Sequence, residues 1–555
     1  MLRRFELSSL SLAHRMSLRG SHVRFLEALA APTRAQEEKL SRLLRMSASS
    51  AYGRLHGFDR LRSVTDFQDR TPLVTYEELQ PFVDRIEDGE SNVLTSDPVR
   101  MLERTSGSTS KGKLVPYGQK LLDDFSAATG PWLRSLGLFV PGLRGTTSYW
   151  SVSPAARERE WTRGGLPIGF SDDTEYFGPL ERWAISRMLA VPGTVARISD
   201  VSEWRRQTLI HLVSDEHLGL ISVWSPSFLT LLMRALEAEL DGILARVPAR
   251  RRADISRSLD RRGGISGEAI WPRLALISCW ADGPAAAQLP ALRTYFPGTP
   301  IQPKGLVATE GVVTFPLMRE LPGRARSPSG LEPEDVRRRE QASALGLLGV
   351  GGVVALLSHF FELIPLDERS KRPKLLGDVR VGARYSPVIS TSGGFFRYRL
   401  MDAVKCVGHL GATPVLELEG RLDGGVDLVG EKLVPAEVDR ALSAVLARHG
   451  SVELAVLVPV RADPARYTLV VDGDVDAGEL AKDLDRALCD ESYHYRYARE
   501  LGQLQAVEPK LTRGALERLV RARMEQGARL GEIKPTGLLR QAEILFGKAG
   551  TEEEF

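Results

Sequence analysis

The spacing of apolar and polar residues divides the chain into helical and extended stretches. Over residues 20–100 apolar positions recur every three or four residues, as in VRFLEALAA and EEKLSRLLRM, which predicts mostly helix. Around 274–316 an apolar strand, a helix and a second strand-like run alternate, as they do in parallel α/β sheets. The stretch 351–418 contains GGVVALLSHFFELIP and FFRYRLMDAVKCVGHL and predicts strands. These patterns predict an α/β fold.

A second α+β pattern begins after a short glycine-rich segment at 420–425. It contains a helix, two strands, a helix, a strand at QLQAVE and a final amphipathic helix. We therefore expect a large N-terminal domain over 1–419, with mixed sheets and flanking helices, and a smaller C-terminal α+β domain over 420–555. Residues 322–345 are polar, charged and rich in proline and glycine, which indicates a surface insertion.

Composition narrows the class of protein. The 555 residues leave room for several domains, and 43% of them are apolar, as in ordinary globular proteins. The net charge of +3 is too small for a dedicated nucleic-acid or anionic-membrane binder. The longest apolar run, 351–357, is far shorter than the ~20 residues that a bilayer requires. We expect a cytoplasmic protein that contacts neither nucleic acid nor membrane.

Cysteine and histidine usage argues against two kinds of site. The 3 cysteines are far apart and lack CxxC spacing, and the 9 histidines form no HExxH motif. A disulfide framework and a transition-metal site are therefore not expected. The N-terminus is rich in Arg, Ser and Leu but has no long apolar core, which excludes a secretory signal and leaves an amphipathic first helix or a mitochondrial transit peptide.

The segment with the clearest chemistry lies between a predicted strand and a predicted helix. It reads Thr105-Ser106-Gly107-Ser108-Thr109-Ser110-Lys111-Gly112-Lys113. Hydroxyls, exposed backbone N–H groups and lysines are what a polyphosphate requires, so we predict ATP contacts from Thr105, Ser106, Gly107, Ser108, Thr109, Lys111 and Lys113. A P-loop is disfavoured because Leu114 stands where that motif needs a hydroxyl for magnesium. Taken alone, the segment also fits a solvated surface loop.

This run resembles the phosphate-binding motif of adenylate-forming enzymes. In detail it is similar to that of the Gretchen Hagen three family, the auxin-responsive acyl acid amido synthetases of plants and their bacterial relatives. The resemblance extends from about residue 35 to 540 and includes AYGRLHGF and DFQDRTPLVTYEEL. It implies an ATP- and Mg²⁺-dependent ligase that activates a carboxylic acid as an acyl-adenylate and transfers the acyl group to an amino acid amine. It also implies that the C-terminal domain is a mobile lid with its hinge near 420–425.

A second block, Leu306-Val307-Ala308-Thr309-Glu310-Gly311, resembles the family's Tyr-Ala-Ser-Ser-Glu motif. The resemblance implies that Thr309 contacts the α-phosphate and that Glu310 holds the magnesium, both as catalytic residues. A carboxylate is a ligand type that this cation prefers. Leu306 replaces the family's tyrosine, so the adenine must find another contact. In isolation the block also fits a simple turn at a strand end.

The third block runs from Phe396 to Asp402 and resembles the family's Tyr-Arg-Tyr-Arg-x-Gly-Asp-Val. The resemblance implies that Asp402 accepts hydrogen bonds from both ribose hydroxyls. Alone, Asp402 also fits a strand-end cap or a salt bridge with Arg399. Met401 replaces the family's glycine, which leaves the local backbone shape in question.

Two further motifs lie in the predicted lid. Arg421 would contact ribose or phosphate, and Asp423 would absorb the domain rotation at the hinge. Lys534, in a segment that resembles the family's terminal Gln-x-Lys-x-Pro, would neutralise charge at the reacting groups as a catalytic and ATP-binding residue. Glu532 replaces the glutamine of that motif. A lone lysine at a helix end is otherwise an ordinary solvated charge.

The acyl pocket is predicted around 149–153, 164–170 and 221–228. Trp150, Trp224 and Phe228 favour an aromatic or bulky apolar acid, although such residues also serve as ordinary core. The expected partners are a small carboxylic acid and an amino acid, and the resemblance favours a monomer.

Two other functions remain open at the level of the sequence. A carboxylate–CoA or carrier-protein ligase needs a basic groove, for which Arg486, Arg496 and Arg499 are candidates. A non-catalytic nucleotide- or acyl-acid-binding protein is favoured by the three departures from the family motifs: Leu306, Met401 and Glu532.

Overall fold

The structure is a computed structural model, and it describes most of the chain. The described residues are 2–105, 113–150, 160–169, 186–198, 200–262, 265–318, 351–450, 452–462, 464–526, 528, 530–534, 536–540 and 545. Within these ranges the fold mixes helices with several sheets, which confirms the predicted α/β class. The predicted surface insertion at 322–345 lies outside the described residues.

The described helices lie in three stretches of the chain: before residue 140, between residues 201 and 295, and after residue 434. They are α1 (Leu2–Ser17), α2 (Arg19–Ala28), α3 (Pro32–Ser47), α4 (Ala51–Leu55), α5 (Val64–Arg70), α6 (Tyr76–Glu87), α7 (Gln119–Phe139), α8 (Val201–Ser214), α9 (Pro226–Ala238), α10 (Leu240–Leu244), α11 (Ala249–Arg262), α12 (Gly267–Ile270), α13 (Leu289–Tyr295), α14 (Pro435–His449), α15 (Ala477–Glu491), α16 (Tyr493–Glu500) and α17 (Ala515–Glu525).

All described strands longer than five residues lie after residue 350. They are β1 (Met101–Arg104), β2 (Leu114–Tyr117), β3 (Thr147–Trp150), β4 (Glu160–Trp161), β5 (Pro167–Ile168), β6 (Leu218–Ser222), β7 (Leu276–Cys279), β8 (Ile301–Pro303), β9 (Val307–Ala308), β10 (Gly311–Val312), β11 (Thr314–Phe315), β12 (Gly352–Val354), β13 (Phe360–Pro365), β14 (Arg384–Ser390), β15 (Tyr398–Arg399), β16 (Asp402–Leu410), β17 (Thr413–Arg421), β18 (Val452–Val460), β19 (Arg466–Gly473) and β20 (Glu508–Leu511).

Local sequence explains why individual elements start where they do. At α6, Glu78 accepts the backbone N–H of Thr75 at 2.7 Å, which forms a capping box at the N-terminus of the helix. At α8, Asp200 accepts the N–H of Glu203 at 2.7 Å. Each contact satisfies an N–H group that the first helical turn leaves without a partner.

Two sheets position the candidate site. A parallel sheet contains β3, β6, β7 and β8 in that order. A larger antiparallel sheet has the order β11-β12-β17-β16-β14-β13, with β15 paired to β14. The smaller described sheets are β2-β1-β5-β4, the β9–β10 hairpin, and β18-β19-β20. The alternation predicted for 274–316 is confirmed by β7, α13 and β8.

One predicted strand is displaced. The sequence QLQAVE predicted a strand over 503–508, but β20 covers Glu508–Leu511 and pairs with β19 from Thr468 onward. Leu504 forms only an isolated bridge with Ala465. The pairing partner, rather than local apolar character, therefore sets the position of this strand.

The buried apolar side chains form several clusters. Two of them are built from residues between 25 and 416, and the other two mostly from residues after 425. Arg234 on α9 forms ion pairs with Glu453 and, at 2.9 Å, with Glu517, and so joins the earlier to the later part of the chain. The division into domains at 419/420 remains a prediction.

Candidate active site

The two ends of the predicted phosphate-binding segment lie on the β1–β2 hairpin. The N–H of Thr105 donates to the carbonyl of Lys113 at 2.8 Å, and the N–H of Lys113 donates to Thr105 Oγ1 at 3.2 Å. The Lys113 ammonium lies 5.5 Å from the ring centroid of Tyr76. The predicted contacts Ser106, Gly107, Ser108, Thr109 and Lys111 lie outside the described residues.

Thr309 and Glu310 form the two-residue turn of the β9–β10 hairpin. The Tyr117 hydroxyl donates to the Thr309 carbonyl at 2.5 Å. On the other side of the turn, the N–H of Val312 donates to His359 Nε2 at 3.1 Å. Burial lowers the pKa of His359 well below its usual value, so the neutral ring accepts this bond and acts as a packed support rather than a base.

The Glu310 carboxylate is oriented by a tyrosine. The Tyr398 hydroxyl on β15 donates to Glu310 Oε1 at 3.0 Å. Burial, followed by the negative charge of Glu310, raises the pKa of Tyr398, so the hydroxyl keeps its proton as a hydrogen-bond donor. Tyr398 lies between Phe396 and Asp402 in the third sequence block, where its residue type alone did not predict this contact.

Asp402 and Arg421 are opposite each other on β16 and β17. Arg421 Nη1 donates to Asp402 Oδ1 at 3.0 Å, and Arg421 Nε and Nη2 donate to Asp423 at 2.8 Å each. Asp402 therefore pairs with Arg421, not with Arg399. We call Arg421, Asp402, Asp423, Glu310 and Tyr398 the Arg421 cluster.

The charges of the Arg421 cluster act on one another. Burial tends to lower the pKa of Arg421, but Asp402 and Asp423, with a contribution from Glu310, outweigh it and raise that pKa. Burial tends to raise the pKa of Asp423, and the Arg421 guanidinium outweighs it and lowers that pKa. The cluster thus gathers three acidic side chains around one guanidinium, and the Arg421–Asp423 pair favours the charged form of both partners.

Met401 adopts the backbone conformation that favours glycine. Its φ is 61°, in the left-handed region, and its carbonyl accepts the N–H of Leu422 at 2.8 Å. A side chain in this region costs on the order of 1 kcal/mol. Methionine at this position therefore places strain in the turn before Asp402.

The remaining predicted residues are not gathered at the Arg421 cluster. Lys534 is exposed, and in the described part of the chain no contact joins its side chain to the cluster. Phe228 is 2% exposed and packs 6.1 Å from Trp204, inside a core. Trp150 and Trp224 instead meet around Lys304, which the sequence analysis did not single out. A lysine directly after a buried strand of a parallel sheet is the signal that would have identified it.

Glu310 fits the role of a magnesium ligand shared with phosphates. Its Oε1 is oriented by Tyr398, and a turn presents the side chain next to Arg421. Magnesium usually takes one or two protein carboxylates plus substrate phosphates. Among the described residues no group of three or more His, Cys, Asp and Glu could hold a metal without such help.

No helix in the described ranges is long and apolar enough to span a membrane.

Comparison with known proteins places this geometry in a family. The GH3 family N-terminal domain matches residues 22–247, and the GH3 family central domain matches residues 352–421. A probable indole-3-acetic acid-amido synthetase, GH3.12 of Oryza sativa subsp. japonica, is 25% identical over 90% of each chain. A jasmonoyl–L-amino acid synthetase, JAR6 of Nicotiana attenuata, is 24% identical, also over 90% of each chain.

The fold matches a solved structure at full length. The structure of AtGH3.15 acyl acid amido synthetase in complex with 2,4-DB superimposes with a TM-score of 0.77, at 17% identity and over 94% of each chain. The two family domains together match more than half of the sequence. The chain therefore belongs to the GH3 family, the Gretchen Hagen three family that its motifs resemble.

Proposed function

We propose that this protein is an ATP- and Mg²⁺-dependent acyl acid amido synthetase. The observation that carries the proposal is the Arg421 cluster, in which Glu310, Asp402 and Arg421 meet although they come from three separate motifs of the sequence. The names of the family relatives support it, since they are amido and jasmonoyl–amino acid synthetases.

In the first half-reaction, an oxygen of the acid's carboxylate attacks the α-phosphorus of ATP. A P–O bond forms, the bond to the β-phosphate oxygen breaks, and pyrophosphate leaves with that electron pair. The protein contributes position and charge rather than covalent chemistry. Thr105, Lys113 and the rest of the loop bind phosphates, Asp402 and Arg421 bind the ribose, and Thr309 contacts the α-phosphate.

Glu310 and Lys534 control charge at the reacting atoms in this proposal. Mg²⁺, held by Glu310, would neutralise charge on the phosphate oxygens when bound. Lys534 approaches the α-phosphate by movement of residues 420–555 about 420–425. Arg421 is already paired with Asp402 and Asp423, and Lys113 also acts on Asp423, so Lys534 would add positive charge that is not engaged by these carboxylates.

In the second half-reaction, the neutral amine of an amino acid attacks the acyl carbon. The C–N bond forms, the C–O bond to AMP breaks, and the amine nitrogen loses a proton to solvent. AMP is a good leaving group, whereas the oxide of a free carboxylate is not. The reaction thus requires no Ser-His-Asp triad.

The two alternatives have less support. Of the candidate CoA-binding arginines, Arg499 is paired with Asp485 at 3.1 Å and Arg486 with Asp483 at 3.2 Å, which reduces the positive field available to a 3′-phosphate. A non-catalytic protein has no need to keep the left-handed turn at Met401. A cytoplasmic monomer that uses no nucleic acid or membrane remains a prediction.

The experiment is ATP–pyrophosphate exchange with Mg²⁺ across aromatic, fatty and jasmonate-like carboxylic acids. Acids that support exchange are then incubated with the twenty amino acids or with CoA. Acid-dependent exchange followed by amide formation is the expected result. Thioester formation would favour the CoA ligase instead, and ATP binding without exchange for any acid would favour the non-catalytic protein.

A further inference from the structure

The carboxyl ends of the parallel strands carry a row of polar and aromatic side chains. The register of the parallel sheet aligns Trp150, Ser222, Ser278 and Gln302 across β3, β6, β7 and β8. Residues in register on parallel strands share one face of the sheet. In open α/β sheets, ligands bind outside this edge.

A second row follows two residues further along. Trp224, Trp280 and Lys304 come after Ser222, Ser278 and Gln302, and the N–H of Trp280 donates to the Trp224 carbonyl at 2.7 Å. Trp150, Trp224 and Trp280 are half-buried, so the aromatic surface at this edge remains accessible.

Lys304 is enclosed by aromatic rings. Its side chain is 5% exposed, and its ammonium lies 5.0–5.5 Å from the ring centroids of Trp224, Trp132 and Trp150. It donates one hydrogen bond, to Ser222 Oγ at 2.7 Å. Among the described residues no carboxylate pairs with it, and two of its three N–H groups have no acceptor. We call Lys304, Ser222 and the three tryptophans Trp132, Trp150 and Trp224 the Lys304 site.

An unpaired buried cation is costly, and the rings offset only part of that cost. Burial lowers the pKa of Lys304 to about 7. The titratable group that faces it from β7 is Cys279, and burial raises the pKa of that thiol to about 12, so it supplies no charge at neutral pH. The described elements around Lys304 thus provide rings and a hydroxyl, and none of their residues supplies an anion.

Two neighbouring polar groups are also incomplete. Ser278 Oγ and Gln302 Nε2 are buried and lack hydrogen-bond partners among the described residues. Both belong to the first row, in which Gln302 precedes Lys304 by two residues. Buried polar groups usually have hydrogen-bond partners, so these two leave hydrogen-bonding capacity for a polar ligand at the same edge as Lys304.

Building on the proposed amido synthetase activity, we propose that Lys304 is the anion-binding and specificity-determining residue of the acyl site. It holds the carboxylate of a flat aromatic acid whose ring packs against Trp150 and Trp224. The carboxylate fills the two free N–H positions of the ammonium, and ring-to-ring packing adds about 0.5–1.5 kcal/mol beyond the buried area.

The test compares matched ligands in calorimetric titrations of the full chain, with and without Mg²⁺ and α,β-methylene-ATP. The probes are benzoate and indole-3-acetate, their neutral amides, and octanoate. The wild-type protein is expected to bind the aromatic acids about tenfold or more tightly than their amides, since a hydrogen bond to a charged group is worth about 1.5–3 kcal/mol. It is expected to bind them a few-fold more tightly than octanoate, which has the carboxylate but lacks a ring to pack against the tryptophans. Equal binding of acids and amides, or no binding of either aromatic acid, would overturn the proposal.

Two substitutions separate binding from folding. Lys304→Met is expected to abolish the preference for acids over amides while keeping or raising the melting temperature, because it removes an unpaired buried charge. Lys120→Met, at an exposed position on α7, is the control for the loss of one positive charge. A Lys304→Met protein that melts lower and still prefers acids would identify Lys304 as structural and overturn the proposal.

The pH dependence of binding to the wild-type protein provides a further test. The acids are ionised throughout the range, so binding requires protonated Lys304. Their affinity should therefore fall by about tenfold for each pH unit above 8, while the affinity of the amides stays constant. Lys304→Arg, which stays charged, should remove the slope. Parallel profiles for acids and amides would contradict the assignment.

The two proposals fail in different ways. Exchange with aromatic acids whose KM is unaffected by Lys304→Met would overturn the role of Lys304 and leave the amido synthetase intact. If the binding of aromatic acids depends on Lys304 but no acid supports ATP–pyrophosphate exchange, the amido synthetase activity is overturned. The role of Lys304 in binding the acid then stands.

Discussion

The Arg421 cluster and the Lys304 site carry charge in opposite ways. In the Arg421 cluster the guanidinium holds Asp402 and Asp423 at 2.8–3.0 Å, and Tyr398 satisfies Glu310. In the Lys304 site, one hydroxyl and three rings surround a cation for which the described residues supply no anion. A ligand that binds at the Arg421 cluster must displace existing ion pairs. An anion that binds at the Lys304 site instead supplies the charged partner that the described residues do not provide.

The difference follows from how each region is built. The Arg421 cluster joins a tight turn to the ends of antiparallel strands, where charged residues lie opposite each other across the ladder. The Lys304 site lies at the carboxyl edge of parallel strands, where side chains converge without cross-strand charge partners. The first suits a nucleotide with its cation, and the second suits an organic anion.

The largest effect is expected from Lys534→Ala. The Arg421 cluster has more negative than positive charge, so loss of the incoming lysine should reduce adenylation by about 10²-fold or more, the scale for one transition-state charge contact. ATP affinity should be largely unchanged, as measured by calorimetry. Lys482→Ala, another exposed lysine, is the control and should retain the exchange rate. Unchanged exchange in Lys534→Ala would remove the assigned role.

Asp402→Ala should weaken ATP binding by about tenfold, the loss of one charge-assisted hydrogen bond. The fold should survive because Arg421 keeps Asp423 as a partner. Asp423→Ala leaves the Asp402–Arg421 pair in place and is expected to cost less ATP affinity. If Asp402→Ala bound ATP as the wild type does, the ribose site would lie elsewhere.

Tyr398→Phe should raise the Mg²⁺ concentration for half-maximal exchange by a few-fold. It removes the hydroxyl that orients Glu310 but leaves the carboxylate itself in place to bind the cation. Maximal exchange at saturating Mg²⁺ should be close to that of the wild type, and aromatic acid binding at the Lys304 site should be unaffected. An unchanged Mg²⁺ titration would show that Tyr398 does not act through Glu310.

Met401→Gly is expected to have the smallest effect, a stabilisation of about 0.5 kcal/mol in denaturant unfolding. Relief of the left-handed φ of 61° exceeds the extra entropy that glycine gains in the unfolded chain. Met401→Ala keeps the strain but removes the side chain, so comparison of the two variants isolates the backbone. A destabilised glycine variant would mean that Met401 contributes packing that outweighs its strain.

Much of the fold followed from periodicity, because alternating strands and helices leave a strong local signal. The assignment to the family followed from four ordered motifs, and the family domains confirm it. The pairing of Asp402 with Arg421 was harder to predict from the sequence. Arg399 is nearer in sequence, but the register of β16 and β17 places Arg421 opposite Asp402. The displaced β20 has the same cause, since partner strands set register.

Lys304 was missed for a related reason. Its neighbours Trp132, Trp150 and Trp224 come from distant parts of the sequence, and only the order of the parallel sheet brings them together. Trp150 and Trp224 were proposed as acyl-pocket residues from their residue type and their place in the predicted pocket segments. Phe228 was proposed on the same grounds, and the structure places it in a core. Residue type could not distinguish an accessible ring from a packed one.

The most direct test of the proposed activity follows an oxygen atom. The protein is incubated with ATP, Mg²⁺, an amino acid and a carboxylic acid that carries ¹⁸O at both carboxyl oxygens. Attack on the α-phosphorus followed by amide formation predicts one ¹⁸O in the released AMP and the other in the amide, as read by mass spectrometry. Unlabelled AMP, or ADP together with labelled inorganic phosphate, would contradict an acyl-adenylate and with it the proposed function.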